Sequence, residues 1–364
     1  MKRILFIRYR QSDTIDAGGE QVTNTNYDLL CRLVGKENVS VCHIHENTGA
    51  KKKLRQLPSA LWNFLRGYYY GLSPRKVRKI VAAARQHSHV FIDRSLFGVV
   101  AEALKEDGYP GKIVTFFHNV ETVYFAAKIG KYRPWRGIVT RCADRNDRYA
   151  CRYSDVTVAL NERDSREIRR RYGRTPDYLT PIVFKDRYRR DAYPTATTRP
   201  VPVCLFLGSY FPMNVHGIRW FISEVLPHVN IRLQIIGKGM SALAPEVSRY
   251  ANIELLSDVP DLAPYIEQAD LMLLPLFRGS GMKIKTCESL MYGKNILGTT
   301  ETFEGYELDF DRVGALCNTR EEFIAAIRKY AAAPVPRFNA YSRRVFLEKY
   351  AEEVRLGIFG KILE

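Results

Sequence analysis

The chain has 364 residues, of which 46% are hydrophobic and 26% charged, and this composition is typical of a folded globular protein. No apolar run is long enough to span a bilayer, so no transmembrane helix is predicted. The seven cysteines include no C-x-x-C pair, which favours reduced thiols and a cytoplasmic protein.

In the first half of the chain, short apolar runs alternate with helical periodicity. The predicted strands are 4–8, 39–44, 90–93, 112–117 and 156–160. The predicted helices are 19–34, 76–86, 99–105, 136–153 and 162–172, and Asn161 is the expected N-cap of the last one. This alternation predicts parallel βαβ units in a doubly wound sheet.

A linker is predicted at residues 186–202, where a charged run is followed by prolines. The same alternation then restarts, with strands at 203–207, 232–236, 253–255, 271–274 and 296–299. Helices are predicted at 217–226, 240–248, 283–292, 320–333 and 341–362. The predicted fold is α/β, with Rossmann-like domains at 1–185 and 203–338 that face a central cleft and a C-terminal helix at 339–364 packed on the first domain.

An anion site is predicted where strand 271–274 leads through a glycine turn into a helix. Backbone N–H groups and the positive end of the helix dipole converge there. Lys283 adds a full charge, and Glu288 lies about a turn and a half into the helix, within reach of a hydroxyl-rich group. A nucleotide diphosphate with its ribose fits this pattern, and an ordinary strand-to-helix turn with surface lysines is the alternative.

Two motifs in the first half also follow predicted strands. Gly18 and Gly19 open the first helix, where paired glycines let the backbone approach a phosphate or a sugar. His118, Asn119 and Glu121 follow the strand at 112–117, at the end where doubly wound sheets hold functional residues. A tight turn and a helix cap are the respective alternatives. No G-x-G-x-x-G motif predicts a nicotinamide or flavin, and the histidines and cysteines lack metal-ligand spacing.

With these motifs assembled, the chain resembles a retaining GT-B glycosyltransferase of glycosyltransferase family 4. The resemblance covers nearly the whole chain and is strongest over residues 203–305, where the segment 279–285 followed by Glu288 is similar to a GSGxKIKxxE subgroup. It implies sugar transfer from a UDP- or GDP-sugar to a glycan or lipid-diphosphate-linked acceptor, with retention and without a metal ion or cofactor. Bacterial surface polysaccharide synthesis is the implied process.

The resemblance also implies roles for individual residues, with the acceptor on the first domain and the donor on the second. The implied catalytic residues are His118, Lys283 and Glu288. The implied donor-binding residues are Gly18, Gly19, Gly208, Ser209, Asn214, Gly237, Lys238, Val259, Pro260, Arg278, Ser280, Gly281, Met282 and Glu304. Glu20, Asn119 and Glu121 are implied on the acceptor side.

The chain departs from the family pattern at three of these positions. Ser280 stands where many members have a glutamate, eight residues before Glu288. Ser209 and Asn214 occupy the places of an arginine and a lysine. Diphosphate binding is therefore expected to depend on Lys283 and its basic neighbours.

The positive charge is concentrated in the first half. Residues 1–200 contain 38 basic and 20 acidic residues, whereas residues 201–364 contain 18 and 19. The window 51–94 has 11 basic residues, one acid and many aromatic residues, which suits an anionic membrane surface. The predicted interface residues are Lys51, Lys52, Lys53, Arg55, Trp62 and Arg66, on a protein peripheral to the inner face of the plasma membrane.

Two other functions are compatible with parts of this pattern. A non-enzymatic protein that binds nucleic acid or a membrane would also use basic patches, but no nucleic-acid-binding motif is present and the second half is neutral, so no nucleic-acid partner is expected. A sugar-nucleotide epimerase shares the predicted fold and would need no acceptor.

Overall fold

A computed structural model of the chain describes residues 2–9, 18–45, 62–129, 135–189, 201–279, 282–332 and 336–364. Several residues with predicted roles lie outside this part of the chain, together with most of the predicted linker. They are Lys51, Lys52, Lys53, Arg55, Ser280 and Gly281.

The chain divides into two units, each built around a six-stranded parallel sheet. The first unit comprises Met1–Pro181 and Glu352–Glu364, and the second comprises Ile182–Ala351. The predicted α/β fold with two Rossmann-like sheets is therefore confirmed.

The first unit has the strand order β2-β1-β3-β4-β5-β6. Its strands are β1 (Ile4–Arg8), β2 (Val39–His43), β3 (His89–Ile92), β4 (Lys112–Phe117), β5 (Val156–Ala159) and β6 (Tyr178–Leu179). Its helices are α1 (Gly18–Val34), α2 (Pro74–Ala84), α3 (Gly98–Glu106), α4 (Glu121–Lys128), α5 (Arg136–Tyr153) and α6 (Glu162–Tyr172), with α14 (Glu352–Leu363) from the end of the chain.

Strand β1 is an interior strand of the first sheet, between β2 and β3. Every residue of this apolar strand is buried, and Ile7 is paired with Ile92 of β3. The alignment brings Asp93, the residue after β3, next to the end of β1, where its N–H donates to the Ile7 carbonyl at 3.0 Å. Asn161 caps α6 as predicted, because its side chain accepts from the N–H of Asp164.

The second unit has the strand order β12-β11-β10-β7-β8-β9. Its strands are β7 (Val203–Leu207), β8 (Arg232–Gly237), β9 (Ile253–Ser257), β10 (Leu271–Leu274), β11 (Asn295–Gly298) and β12 (Gly314–Leu316). Its helices are α7 (Pro212–Trp220), α8 (Ala244–Val247), α9 (Ala263–Gln268), α10 (Ile284–Met291), α11 (Phe310–Val313), α12 (Arg320–Ala332) and α13 (Ala340–Val345).

The tail, predicted as one helix, is divided. After α13, residues Phe346–Tyr350 form a π-helical turn, and Ala351 is extended before α14 begins. The break occurs because the N–H of Phe184 donates to the Tyr350 carbonyl, which then has a partner outside the helix. Helix α14 packs on α1, where Arg32 lies 2.5 Å from Glu352.

Candidate functional site

In the second unit, the two central strands of the sheet are β7 and β10. From β7 the chain continues to β8 and β9 towards one edge of the sheet, and from β10 it continues to β11 and β12 towards the other edge. The strand order reverses between them, which is where doubly wound sheets bind ligands beyond their carboxyl ends. Gly208 and Ser209 follow β7, and the segment up to Gly279 follows β10. The two predicted donor segments are thus placed at neighbouring strand ends.

The loops after β7 and β8 are held together backbone to backbone. A Cβ atom at Gly237 would lie 1.8 Å from the carbonyl oxygen of Gly208, so only glycine permits this approach. The N–H of Tyr210 donates to the Lys238 carbonyl at 2.8 Å, and Asn214 donates from its amide to the Ser209 carbonyl at 3.0 Å. The structure therefore brings Gly208, Ser209, Asn214, Gly237 and Lys238 into one surface.

Asp258 organises the neighbouring loop and was not predicted as a site residue. It has a left-handed backbone, with φ at 57°, and its carboxylate accepts hydrogen bonds from the Ser257 hydroxyl at 2.5 Å and the Gly239 N–H at 3.2 Å. These bonds, that from Ser257 first, lower the pKa of Asp258. Val259 and Pro260 follow it, half-buried and exposed respectively.

Lys283 stands at the N-terminus of α10 and is paired with a carboxylate that the sequence analysis missed. Its Nζ lies 2.5 Å from Oε1 of Glu301, and the two side chains are 12% and 22% exposed. Gly279 packs against both, because a Cβ there would lie 2.7 Å from the Glu301 oxygen and 2.9 Å from Lys283 Cε. Lys283, the residue predicted to bind the diphosphate, is therefore already paired with the carboxylate of Glu301.

Hydrogen bonds fix the turn that carries Glu301. Thr299 donates through its hydroxyl to the carbonyl of Leu276, just beyond the end of β10. The hydroxyl of Thr286, on α10, donates to the Thr302 carbonyl at 2.8 Å. The turn after β11 is therefore attached to both elements that flank Lys283, which holds the Glu301 carboxylate in place.

One carboxylate oxygen of Glu288, on α10, is available to a ligand. Its Oε2 is buried and accepts no hydrogen bond from the described residues. An unsatisfied buried acceptor costs about 1–3 kcal/mol, which a hydroxyl group of a ligand would offset. The other predicted donor residues near this helix differ in exposure: Met282 is buried, Glu304 is half-buried and Arg278 is exposed.

In the first unit, His118 is buried and faces Asp93, another residue that the sequence analysis did not assign to the site. The His118 Nε2 lies 3.2 Å from Asp93 Oδ2. Asp93 also accepts hydrogen bonds from two α1 residues, the Thr23 hydroxyl at 2.5 Å and the Asn26 amide at 2.7 Å. Residues from the ends of β3 and β4 and from α1 therefore meet at one edge of the sheet.

These contacts set the charges of the pair. Burial favours the neutral form of Asp93, but the adjacent His118 and the hydrogen bonds from Thr23 and Asn26 outweigh it, so the pKa of Asp93 is lowered. Burial and the nearby charge of Arg94 lower the pKa of His118. At neutral pH the arrangement is a neutral imidazole beside an ionised carboxylate.

Glu121 and Gly19 both lie next to Arg94. A Cβ at Gly19 would lie 2.6 Å from Arg94 Nη2, so the glycine leaves room for the guanidinium. Arg94 Nη1 is 4.0 Å from Glu121 Oε1, which accepts no hydrogen bond from the described residues. Burial raises the pKa of Glu121 to about 8. Of the other predicted residues here, Gly18 begins α1, and Glu20 and Asn119 are half-buried.

The predicted membrane-interface residues that the structure describes are exposed. Trp62 is 63% exposed, and Arg66 is exposed beside it. Arg145 of α5 donates to the Arg66 carbonyl at 3.0 Å and so joins this segment to a row of exposed arginines. The row consists of Arg141, Arg145, Arg148 and Arg152.

No described helix is long and apolar enough to cross a membrane. Within the same residues, no group of three or more histidine, cysteine, aspartate or glutamate side chains is arranged to hold a metal ion.

Comparisons with known proteins agree with this architecture. Residues 201–332 match the family model described as glycosyl transferases group 1. No curated protein matches the sequence. The structure is similar to that of HepE from Anabaena in complex with UDP-glucose, with a TM-score of 0.68 and 11% identity over 100% of this chain and 99% of that one.

Two further solved structures have the same relationship to this chain. Sucrose-phosphate synthase from Thermosynechococcus elongatus has a TM-score of 0.71 and 13% identity, over 100% of this chain and 98% of that one. The lipopolysaccharide outer core galactosyltransferase WaaB has a TM-score of 0.65 and 14% identity, over 99% of each chain. The chain therefore has the GT-B fold of these proteins, and its second unit contains a region that matches glycosyl transferases group 1.

Proposed function

We propose that the protein is a glycosyltransferase that uses a nucleotide sugar, with the donor nucleotide on the second unit and the acceptor on the first. The observation that carries the proposal is the buried Oε2 of Glu288, which accepts no hydrogen bond from the part of the chain that the structure describes. It lies on the helix whose N-terminus holds Lys283. A ribose hydroxyl bound to Glu288 and a diphosphate at Lys283 would use both features together.

The donor is proposed to be a UDP- or GDP-sugar. Support for UDP comes from HepE, a structural neighbour that was solved with UDP-glucose and with UDP. The resemblance to glycosyltransferase family 4 and its GSGxKIKxxE subgroup supports the same donor class. Neither a metal ion nor a cofactor is required in this proposal, because Lys283 and the N–H groups of α10 supply positive charge for the diphosphate.

The proposed reaction retains the configuration at the anomeric carbon. The acceptor oxygen forms a bond to that carbon while the bond from the carbon to the diphosphate oxygen breaks. The proton of the acceptor hydroxyl passes to the departing phosphate oxygen, on the face from which the diphosphate leaves. Lys283 stabilises the charge that develops on the leaving group, and His118 is proposed to contact the sugar as a neutral hydrogen-bonding group.

The acceptor is proposed to be a glycan or a lipid-diphosphate-linked sugar at the inner face of the plasma membrane, in bacterial surface polysaccharide synthesis. The exposed Trp62, Leu65 and Tyr70 next to basic residues support this membrane location. Sedimentation with anionic and with neutral vesicles tests it. Replacing Trp62 and Leu65 by serine is expected to weaken binding to anionic vesicles, and equal binding to both vesicle types would contradict the membrane proposal.

A thermal-shift screen against UDP-, GDP-, dTDP- and CMP-sugars tests the function itself. A ligand at a hundred times its dissociation constant adds about 2.7 kcal/mol to the free energy of unfolding. The donor found in this way is then incubated with lipid-linked acceptors, and the anomeric configuration of the product is read by NMR. Stabilisation by none of these sugars, or nucleotide release without transfer to any acceptor, would contradict the proposal.

A further inference from the structure

Arg355 on α14 is fully buried in the first unit, far along the chain from every residue that the sequence analysis assigned to the site. A buried guanidinium requires several acceptors, because removing a charge from water costs several kcal/mol. Its Nε donates to the Thr180 hydroxyl at 3.0 Å, and Nη2 donates to the Pro181 carbonyl. The guanidinium also lies over the Phe116 ring, 5.2 Å from its centroid.

Another hydrogen bond of Arg355 connects it, through Asn26 and Asp93, to His118. Its Nη1 donates to the Asn26 Oδ1 at 2.9 Å, while the Nδ2 of the same amide donates to Asp93 at 2.7 Å. Asn26 is therefore held in one orientation, with its oxygen towards the cation and its nitrogen towards the carboxylate. Asp93 in turn lies 3.2 Å from His118.

The groups that face His118 come from two parts of the chain. Asp93 and Arg94 follow β3, and Arg355 is on α14. The charges of Arg94 and Arg355 favour the neutral imidazole, whereas Asp93 favours the protonated one. The carboxylate of Asp93 accepts hydrogen bonds from Thr23 and Asn26. Its orientation therefore depends on the side-chain amide of Asn26, which is hydrogen-bonded to Arg355.

We propose that Arg355 is a positioning residue, which orients His118 by way of Asn26 and Asp93 and favours the neutral imidazole through its own positive charge. The last helix thereby contributes to the His118 site although none of its residues is placed in contact with a substrate. This inference depends on the proposed function only in that it takes His118 to act on the sugar. The charge and the tautomer of His118 in the ligand-free protein test the inference without any substrate.

NMR of the protein labelled with 15N-histidine makes the test, with the spectrum of His118→Gln used to assign the signal. In the wild type, His118 is expected to be neutral at pH 7 with its proton on Nε2, towards Asp93. In Arg355→Met the cation and the anchor of Asn26 are both lost, so the pKa of His118 is expected to rise by about 1. In Thr180→Val, the matched control, Arg355 loses a different hydrogen bond and the His118 signal should not change.

Because Arg355→Met removes a buried charge, thermal unfolding of each variant is measured alongside. If that variant does not fold, Arg355→Lys replaces it: the charge stays but the paired contacts of the guanidinium are lost, and a changed tautomer population of His118 is expected. A folded Arg355→Met protein, or a folded Arg355→Lys protein in its place, with the His118 pKa and tautomer of the wild type would overturn the inference.

Activity gives a second, separate readout. With the donor identified by the screen, Arg355→Met is expected to shift the pH profile of kcat while the KM for the nucleotide sugar changes little, because Lys283 and Glu288 are intact. An unchanged pH profile would count against the inference. If no nucleotide sugar is turned over by the wild type, the proposed function fails, and the NMR result still decides the role of Arg355.

Discussion

Replacing Glu301 by glutamine is expected to tighten the binding of a nucleoside diphosphate. In the free protein the Lys283 ammonium is paired with Glu301 at 2.5 Å. A diphosphate that binds Lys283 must either displace the Glu301 carboxylate or bind close to it, where the two negative charges repel each other. Glutamine keeps the shape of the side chain and removes the charge, so the ammonium becomes available to the ligand.

The size of the effect follows from the exposure of the pair. Exposed ion pairs contribute about 0.2–1 kcal/mol, and this pair, at 12% and 22% exposure, belongs at the upper end of that range. A change of about 1 kcal/mol corresponds to roughly fivefold in affinity. The variant Glu301→Gln should therefore bind UDP, or GDP if that is the preferred base, about fivefold more tightly than the wild type.

Titration calorimetry measures the affinities. The matched control is Glu246→Gln, which breaks the pair with Arg219 on the surface of the same unit and should leave nucleotide affinity unchanged. In the double variant Lys283→Met/Glu301→Gln the gain should disappear, because the cation that benefits is absent. Binding by Glu301→Gln that equals or falls below that of the wild type would refute the reasoning.

Three other outcomes are expected. Alanine at Gly237 should lower the free energy of unfolding by at least about 1 kcal/mol, because its Cβ would lie 1.8 Å from a backbone carbonyl oxygen. Alanine at Gly357, with no described atom within 4 Å of its Cβ, is the control in urea unfolding, and equal losses would contradict the close approach. Glu121 has its pKa raised from 4.5 to about 8, so the stability it contributes is present below pH 4.5 and is lost as the pH rises to about 8. Glu121→Gln should therefore flatten the fall of Tm over that pH range, and an equally steep fall would show that another group causes it. Finally, Lys283→Ala and Glu288→Ala should each lower turnover at least about tenfold in a folded protein, and near-normal transfer by both would remove these residues from the site.

Much of the architecture was predictable because it depends on local patterns. The apolar runs that became β1, β4, β7 and β10 are fully buried or nearly so, and their alternation with helices restricts the sheet to parallel connections. The strands β6 and β12 were not predicted, since they have only two and three residues. Helix α7 begins at Pro212, earlier than predicted, because proline is favoured in the first turn of a helix.

Asp93 and Arg355 were not predicted, and they differ in whether the sequence contained a signal for their roles. Asp93 directly follows β3, the same position relative to its strand that drew attention to His118 after β4, so the sequence contained a usable signal. Arg355 had none. It lies in the tail helix, and nothing local distinguishes a buried arginine there from an exposed one.

The sequence by itself determined the two-domain α/β fold, the glycine turns and the basic character of the first half, because each depends on residues that are close together in the chain. Only the tertiary structure decided which charges meet. Lys283 is neutralised by Glu301 from another strand end, and Asp93 is held by Asn26 and Arg355, 329 residues apart. These pairings depend on how strands and helices are ordered in space. The strength of an electrostatic interaction depends on the distance between the charges in space and not on their separation along the sequence.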